Sequence, residues 1–297
     1  MPSSILQNLV SRFRASRTDP FARFSTLTDQ EWLGLLIRSV DEPVIDGVRM
    51  PGFPDPITQR STVGSVGAQP LQEVFGFFTA VKAYGKQLGR PLQVDTRILD
   101  FGCGWGRILR FFLRDCLAAN LHGIDVDPGL VEICRKTMNY GSFDVVDPLP
   151  PTRAASESFD FVVGYSVFSH LAEHASLAWV EELARVLKPG GIMVVTTEPR
   201  EFIELCRSLR GQNHEFAWHQ ALANSFVDTE AAYRAYDAGQ YLYAPTGGGS
   251  YRPSDFYGEA LIPEGYVRAR WTKFLRFVDF VSDPHRFSQA LIVMQKN

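Results

Sequence analysis

Asp100 and the alternating glycines Gly102, Gly104 and Gly106 fall within one short run, ILDFGCGWGR at 98–107, and Asp125 closes a later apolar run, LHGI. A strand that ends in glycines and restarts as a helix lets backbone approach a ligand closely, and the free amides at the helix start favour negative groups. An acidic side chain at the end of the next strand can accept hydrogen bonds from both hydroxyls of a ribose. Those residue types in that order point to nucleotide-like ligand binding. Proton-transfer chemistry has its own candidates. His170 follows a fourth apolar run and begins the segment HLAEHASLAWVEELARVL; an imidazole titrates near neutrality and suits a general base. Capping that helix, or packing against a bound cofactor, is the alternative for His170. Glu198 follows a fifth run and either orients an acceptor hydroxyl or starts a helix, while Tyr165 either binds substrate or seals a pocket.

The elements that must position these residues alternate. RILDF reads as strand one and GRILRFFLRDCL as the helix after it. ANLHGIDVD holds strand two, PGLVEICRKTMNY a helix, and Phe143 to Val146 a short strand three. SFDFVVGYS carries strand four, and KPGG is a turn into strand five, IMVVTTE. Such alternation predicts parallel strands joined by right-handed helical crossovers, a doubly wound α/β sheet, and near-continuous apolar strands fit a sheet covered on both faces. KFLRFVDFVSD and FSQALIVMQK then predict an antiparallel pair appended to it.

Upstream, FSTLTDQEWLGLLIRSV predicts a helix with Thr28 as N-cap and Glu31 completing a capping box. DEPVIDGVRMPGFPDPITQRSTVGSVG, crowded with proline and glycine, reads as a loop. The apolar positions of PLQEVFGFFTAVKAYGKQLG recur at helical spacing. From Arg200 to the closing pair lies too much sequence for a simple connection, which predicts an inserted helical cap over the ligand crevice. The division is therefore an N-terminal extension at 1–70, the main cofactor-binding part at 71–200, a substrate-specificity cap at 201–265, and the strand pair at 266–297.

Composition narrows the partners. The 297 residues are 45% apolar and 21% charged, with ample material for a core. A net charge of −3, with SRFRASR (Arg12, Arg14, Arg17) the one basic concentration near the start, argues against nucleic-acid binding. The four cysteines form no CxxC pair and the six histidines are scattered, so no metal site is expected. His170 and His174 could share a helical face, but nothing completes a ligand set. His214, Trp218 and His219 cluster without metal-site support, and His174 is expected at the surface. The opening MPSSILQNLVSRFRASR lacks the long apolar run of a signal peptide, and no membrane-length segment follows, so a cytoplasmic setting without membrane insertion is expected.

The glycine run alone would admit a nicotinamide enzyme or one using an adenosyl cofactor, although its spacing is GxGxG and not the GxGxxG of dinucleotide sites. The ordered set is more specific. ILDFGCGWG, GIDVD, FDVVDPLPP, SFDFVVGYSVFSHL and ELARVLKPGGIMVVTT together resemble the class I S-adenosylmethionine-dependent methyltransferases, over roughly 95–197 and with the closing strands to about 295. That resemblance implies a seven-stranded, mostly parallel sheet of order 3-2-1-4-5-7-6, with the last strand antiparallel, and S-adenosyl-L-methionine as cofactor, leaving S-adenosyl-L-homocysteine. It further implies that Asp100 organises the glycine turn or reaches the methionine amino group, that Gly102 and Gly104 set backbone against the methionine part, and that Cys103 and Gly106 belong to the same cofactor-binding turn. Trp105 shields that side or simply packs. Asp125 would hold the ribose and Val126 border the adenine, with Asp147, or alternatively Asp144, as the adenine-side acid. Tyr165 and Ser166 would end strand four near the methyl group, and Arg60 is a candidate for the methionine carboxylate.

The expected reaction is in-line methyl transfer to a small molecule, with O-methylation first. N- or C-methylation, or a non-catalytic S-adenosylmethionine-binding regulatory protein, are the alternatives. Tyr251, Tyr257 and Glu259 in the insertion are expected either to reach the acceptor or, for the tyrosines, to form the core of a lid. A homodimer is compatible with the sequence.

Overall fold

The computed structural model describes residues 19–214 and 216–297; the basic run with Arg12, Arg14 and Arg17 lies outside them. Seven strands form the main sheet: β1 (Ile98–Phe101), β2 (Leu121–Asp125), β3 (Ser142–Val145), β4 (Phe159–Gly164), β5 (Leu187–Thr197), β6 (Arg276–Val281) and β7 (Ala290–Gln295). Their order is β3-β2-β1-β4-β5-β7-β6, as the resemblance implies. β1 runs parallel to β2 and β4, and β2 to β3, whereas β7 is antiparallel to both β5 and β6. Burial explains the strand sequences. All four residues of central β1 are buried, while edge strand β3 is mostly exposed and edge strand β6 is half-buried past an exposed Arg276, and they accordingly carry Ser142, Asp144, Arg276 and Asp279.

Two compact units divide the chain, one reaching Val145 and including Phe159–Val163, the other made of Val146–Ser158 and Gly164–Asn297. In the first, α1 (Asp29–Arg38) starts at Thr28 with both reciprocal bonds of the capping box present. Its Trp32 indole donates to the Phe111 carbonyl at 2.8 Å. The proline-rich stretch is not all loop. It holds a small antiparallel hairpin, Val44–Ile45 with Val48–Arg49, and a helix, α2 (Pro56–Val63). Asp55 caps that helix by accepting from the Ile57 and Thr58 amides; proline fits its first turn because the missing N–H has no intrahelical partner there. α3 (Gln69–Gln87) buries Leu71, Val74, Phe77, Phe78, Val81 and Tyr84 as its spacing predicts.

Two expectations around the main sheet need correction. The helix after β1 is only α4 (Leu109–Phe112); tighter three-residue bonds flank it, including Phe111 N–H to Ile108 C=O and Asp115 N–H to Phe112 C=O. KPGG is not a free turn either, because β5 already begins at Leu187. The Gly190 amide donates to Lys296 C=O and the Lys296 amide to Gly191 C=O, so the chain past β7 extends the pairing through those glycines. α5 (Pro128–Thr137) is capped by Asp127.

In the second unit α6 (Glu173–Val186) precedes β5. Between β5 and β6 lie α7 (Phe202–Ser208), α8 (Ala217–Ala223), α9 (Thr229–Asp237) and α10 (Glu264–Arg270), together with an antiparallel hairpin, Leu242–Ala244 with Glu259–Leu261. Phe202, Ile203, Cys206, Leu222, Ala232 and Leu261 give the insertion a core of its own; burying a leucine or isoleucine contributes about 1.5–3 kcal/mol. No helix among the described residues is long and apolar enough to cross a membrane.

Candidate functional site

In the first unit, the glycine turn is closed onto β2 by its own amides. Gly102 and Cys103 N–H both donate to Ile124 C=O, at 2.8 and 3.0 Å. Gly102, Gly104 and Gly106 all have positive φ, and space is open where a Gly104 side chain would begin. Asp125 fastens the same turn: Oδ2 accepts from Gly104 N–H and Oδ1 from Asp127 N–H, each at 2.9 Å. Carboxylate oxygens are acceptors of the kind that ribose hydroxyls need.

Asp100 is the anomaly. It is 1% exposed, and neither carboxylate oxygen has a hydrogen-bonding partner. Burial, reinforced by the charge of Asp125 and opposed by Arg107, pushes its carboxyl up to about 8. A buried acceptor without a donor costs stability and persists where something outside the chain satisfies it. An ammonium group fits that need, and the amino-acid end of S-adenosylmethionine carries one.

The remaining first-unit candidates are less exposed to ligand. Cys103 is buried with Sγ lying against Gly123. Trp105 packs in the core beside Phe53 and under the Arg110 guanidinium. Val126 is half-buried, and Arg60 is exposed in the last turn of α2. Asp144 is 76% exposed and 3.8 Å from Arg135. Sequence reasoning missed two arginines next to the motif. Arg107 is nearly buried beside Asp100 and 3.6 Å from Glu73. Arg110, fully buried, donates to Gly106 C=O and Gly52 C=O and so ties the glycine turn to the 52–53 segment. Their position directly after the glycines was the available signal.

In the second unit, Asp147 is exposed, and polar side chains gather at the ends of β4 and β5. Tyr165 Oη lies 2.8 Å from Ser288 Oγ. Ser166 takes a left-handed φ of 60°, uncommon outside glycine, and its N–H donates to Thr196 Oγ1. Thr196 donates in turn to Gln289 Oε1 at 2.6 Å, and the Gln289 amide donates to Ser166 Oγ at 3.0 Å and Glu198 Oε1 at 2.6 Å. Burial pushes the Glu198 carboxyl up to about 7 against the pull of the His170 imidazole, with Glu259 adding to the rise and the Gln289 bond opposing it.

His170 does not begin a helix: α6 starts at Glu173, and its N-cap, Ala172, makes no side-chain cap. Instead its segment pairs with the insertion. Ala172 N–H donates to Phe256 C=O, Gly258 N–H to His170 C=O, and Ala260 N–H to Ser169 C=O. Gly258 passes so close to the other hairpin strand that a Cβ there would sit 2.1 Å from the Ala244 carbonyl oxygen, so glycine is required. Its own carbonyl lies 2.8 Å from His170 Nδ1. A carbonyl can only accept, so Nδ1 carries the proton and the neutral ring keeps its lone pair on Nε2. Nε2 has no partner among the described residues. Tyr257 stacks on the ring at 4.9 Å. Burial alone would lower the imidazole, but Glu259, Glu198 and the Gly258 carbonyl hold it above its ordinary value.

Glu198 and His170 are thus close enough to perturb each other, and Glu259 and Tyr257 from the insertion join them. Tyr251 does not; it is 51% exposed. His214 bonds to Leu209 C=O and lies 5.9 Å from His219, while His174 is exposed. No group of three metal-ligating side chains occurs among the described residues.

Residues 98–191 match a family model described as a methyltransferase domain. A ribosomal protein L11 methyltransferase of Burkholderia thailandensis is 38% identical over 104 residues, 35% of this chain and 32% of that protein. A ubiquinone biosynthesis O-methyltransferase of Methylobacterium sp. is 28% identical over 182 residues, 59% of this chain and 71% of that one. An S-adenosylmethionine-dependent methyltransferase from Mesorhizobium loti shares the fold, with a TM-score of 0.51 at 13% identity over 76% of this chain and all of that one. The chain spans about a third of the first relative's length. Residues 98–191 are thus a methyltransferase domain, carried on the fold of an S-adenosylmethionine-dependent methyltransferase.

Proposed function

We propose that the protein methylates a hydroxyl oxygen of a small-molecule acceptor, with His170 as general base. One observation carries this reading: the Gly258 carbonyl fixes the proton on Nδ1 and leaves the lone pair of a half-buried imidazole on Nε2, an atom without a partner among the described residues. S-Adenosylmethionine supplies a methyl group already activated on a sulfonium, so the chain is left to orient the reactants and, for a hydroxyl, to remove a proton. Nε2 receives that proton, and the neighbouring carboxylates Glu198 and Glu259 favour the imidazolium that forms. Glu198 and Tyr165 are the further candidates for orienting the acceptor. In the first unit Asp100 accepts from the cofactor's ammonium, Asp125 from its ribose, and backbone from Gly102 to Gly106 borders the methionine part. Residues 201–265 select the acceptor.

Support for oxygen over other atoms comes from the longer match, to a ubiquinone biosynthesis O-methyltransferase; the match to the enzyme named for a ribosomal protein covers a smaller part of this chain. The test is a screen with methyl-labelled S-adenosylmethionine in three arms: hydroxyl compounds, amines, and ribosomal proteins. Label in a hydroxyl compound, with one S-adenosylhomocysteine per methyl transferred, is the expected result. Label confined to amines or protein, or no transfer in any arm, contradicts it.

A further inference from the structure

Resting on the reading of His170 as base, we propose that Glu259 is its positioning residue: a buried carboxylate from the insertion's hairpin that fixes the imidazole's orientation and strengthens it as a base. Glu259 is 1% exposed. Its Oε1 accepts from the Trp218 indole N–H at 2.9 Å, which turns Oε2 toward His170 Nδ1 at 3.5 Å. Oε2 accepts no hydrogen bond among the described residues, and the imidazole edge is its ion-pair neighbour. At that separation, beyond the usual hydrogen-bond range, the pair acts through charge, which is strong at so buried a carboxylate. Nδ1 therefore donates to a carbonyl that sets the tautomer and faces a carboxylate that favours the protonated ring. The proton-accepting atom is left pointing away from both.

The strand that carries Glu259 is also the strand zipped to residues 169–172. Carboxylate and imidazole are therefore held by the same backbone ladder and do not depend on two flexible side chains finding each other. Trp218 belongs to the arrangement: its ring is 48% exposed, yet its N–H reaches the buried carboxylate. The groups facing His170 are Glu259 and the Gly258 carbonyl from the hairpin, Tyr257 stacked on the ring, and Glu198 after β5. Of these, Glu259 is the charged group on the Nδ1 edge. Glu259 thus serves the base and not the acceptor.

The experiment compares Glu259→Gln and Trp218→Phe with the parent chain. The His170 ring is titrated by NMR on 13C-labelled histidine, and kcat/KM is followed against pH for the acceptor found in the screen. In Glu259→Gln the His170 midpoint moves down, the acid limb of kcat/KM moves down with it, and kcat falls about 10–100-fold, the scale of losing a partner that orients a metal-bound imidazole. Trp218→Phe, which removes only the indole N–H, gives a smaller shift in the same direction. An unmoved NMR midpoint in Glu259→Gln overturns the proposal. A midpoint that moves while the acid limb stays put, together with undiminished turnover in His170→Ala, shows instead that the pair is as described and the base reading has failed.

Discussion

Asp100→Asn is expected to weaken S-adenosylmethionine binding about 10–150-fold near pH 8, the loss that follows when a charged hydrogen bond of about 1.5–3 kcal/mol is removed. The variant should also lose a pH dependence that the parent shows. In the free protein the buried Asp100 carboxyl titrates at about 8, so below that pH it holds a proton that pairing with an ammonium must expel. Affinity then falls by up to tenfold per pH unit on the acid side. It falls again on the alkaline side as the cofactor's own α-amino group, with an ordinary pKa of roughly 7.7–8.0, loses its charge. The optimum lies near pH 8. Linkage gives the stability counterpart. A carboxyl raised from 3.8 to about 8 binds its proton more tightly folded than unfolded, so its contribution is fully present below 3.8 and is lost as pH climbs through about 8. Bound cofactor should offset that loss. Calorimetry from pH 6 to 9, in two buffers of different ionisation enthalpy, measures both affinity and the proton released. A parent affinity flat with pH, or an Asn variant that binds as tightly, contradicts the assignment of Asp100.

His170→Ala is expected to lower turnover about 10²–10⁴-fold, the usual contribution of a positioned general base, while cofactor affinity stays within twofold. The separation follows from where the two functions sit. His170 bonds within the second unit, to Gly258 and beside Glu259, whereas Asp100 and Asp125, the residues proposed for the cofactor, belong to the first. Tyr257 loses its stacking partner in this variant, so thermal unfolding is recorded alongside. A folded variant with parental turnover at saturating acceptor excludes His170 as base and favours an acceptor atom that needs no proton removed.

The main sheet was legible because each strand declares its burial locally. ILDF and IMVVTT are near-continuous apolar runs, and their residues are buried. The α1 capping box was legible for the same reason: Thr28 and Glu31 bond only to each other and to adjacent backbone. The α2 helix was hidden by its composition, yet Asp55 before Pro56 was a helix-start signal outweighed by the surrounding prolines and glycines. The shortness of α4 was not readable locally, since Arg110 and Trp105 are committed to packing with Phe53, and Gly52 and Gly106 receive the Arg110 donors. At the site, Asp125 could be singled out from its place at a strand end. The orphaned state of Asp100 could not, because being without a partner is a property of everything around a residue. The Glu259 contact with His170 is equally non-local: it depends on a hairpin whose register brings Gly258 to the segment before α6. Gln289, which links Thr196, Ser166 and Glu198, gave no sequence signal beyond its place just before β7.

The most direct test is a crystal structure of the full chain with S-adenosylhomocysteine. The product's amino group should lie within hydrogen-bonding distance of the Asp100 carboxylate, and its ribose hydroxyls on Asp125, with the glycine turn otherwise unmoved. An adenosyl group bound elsewhere, or Asp100 still without a donor in the complex, would contradict the account.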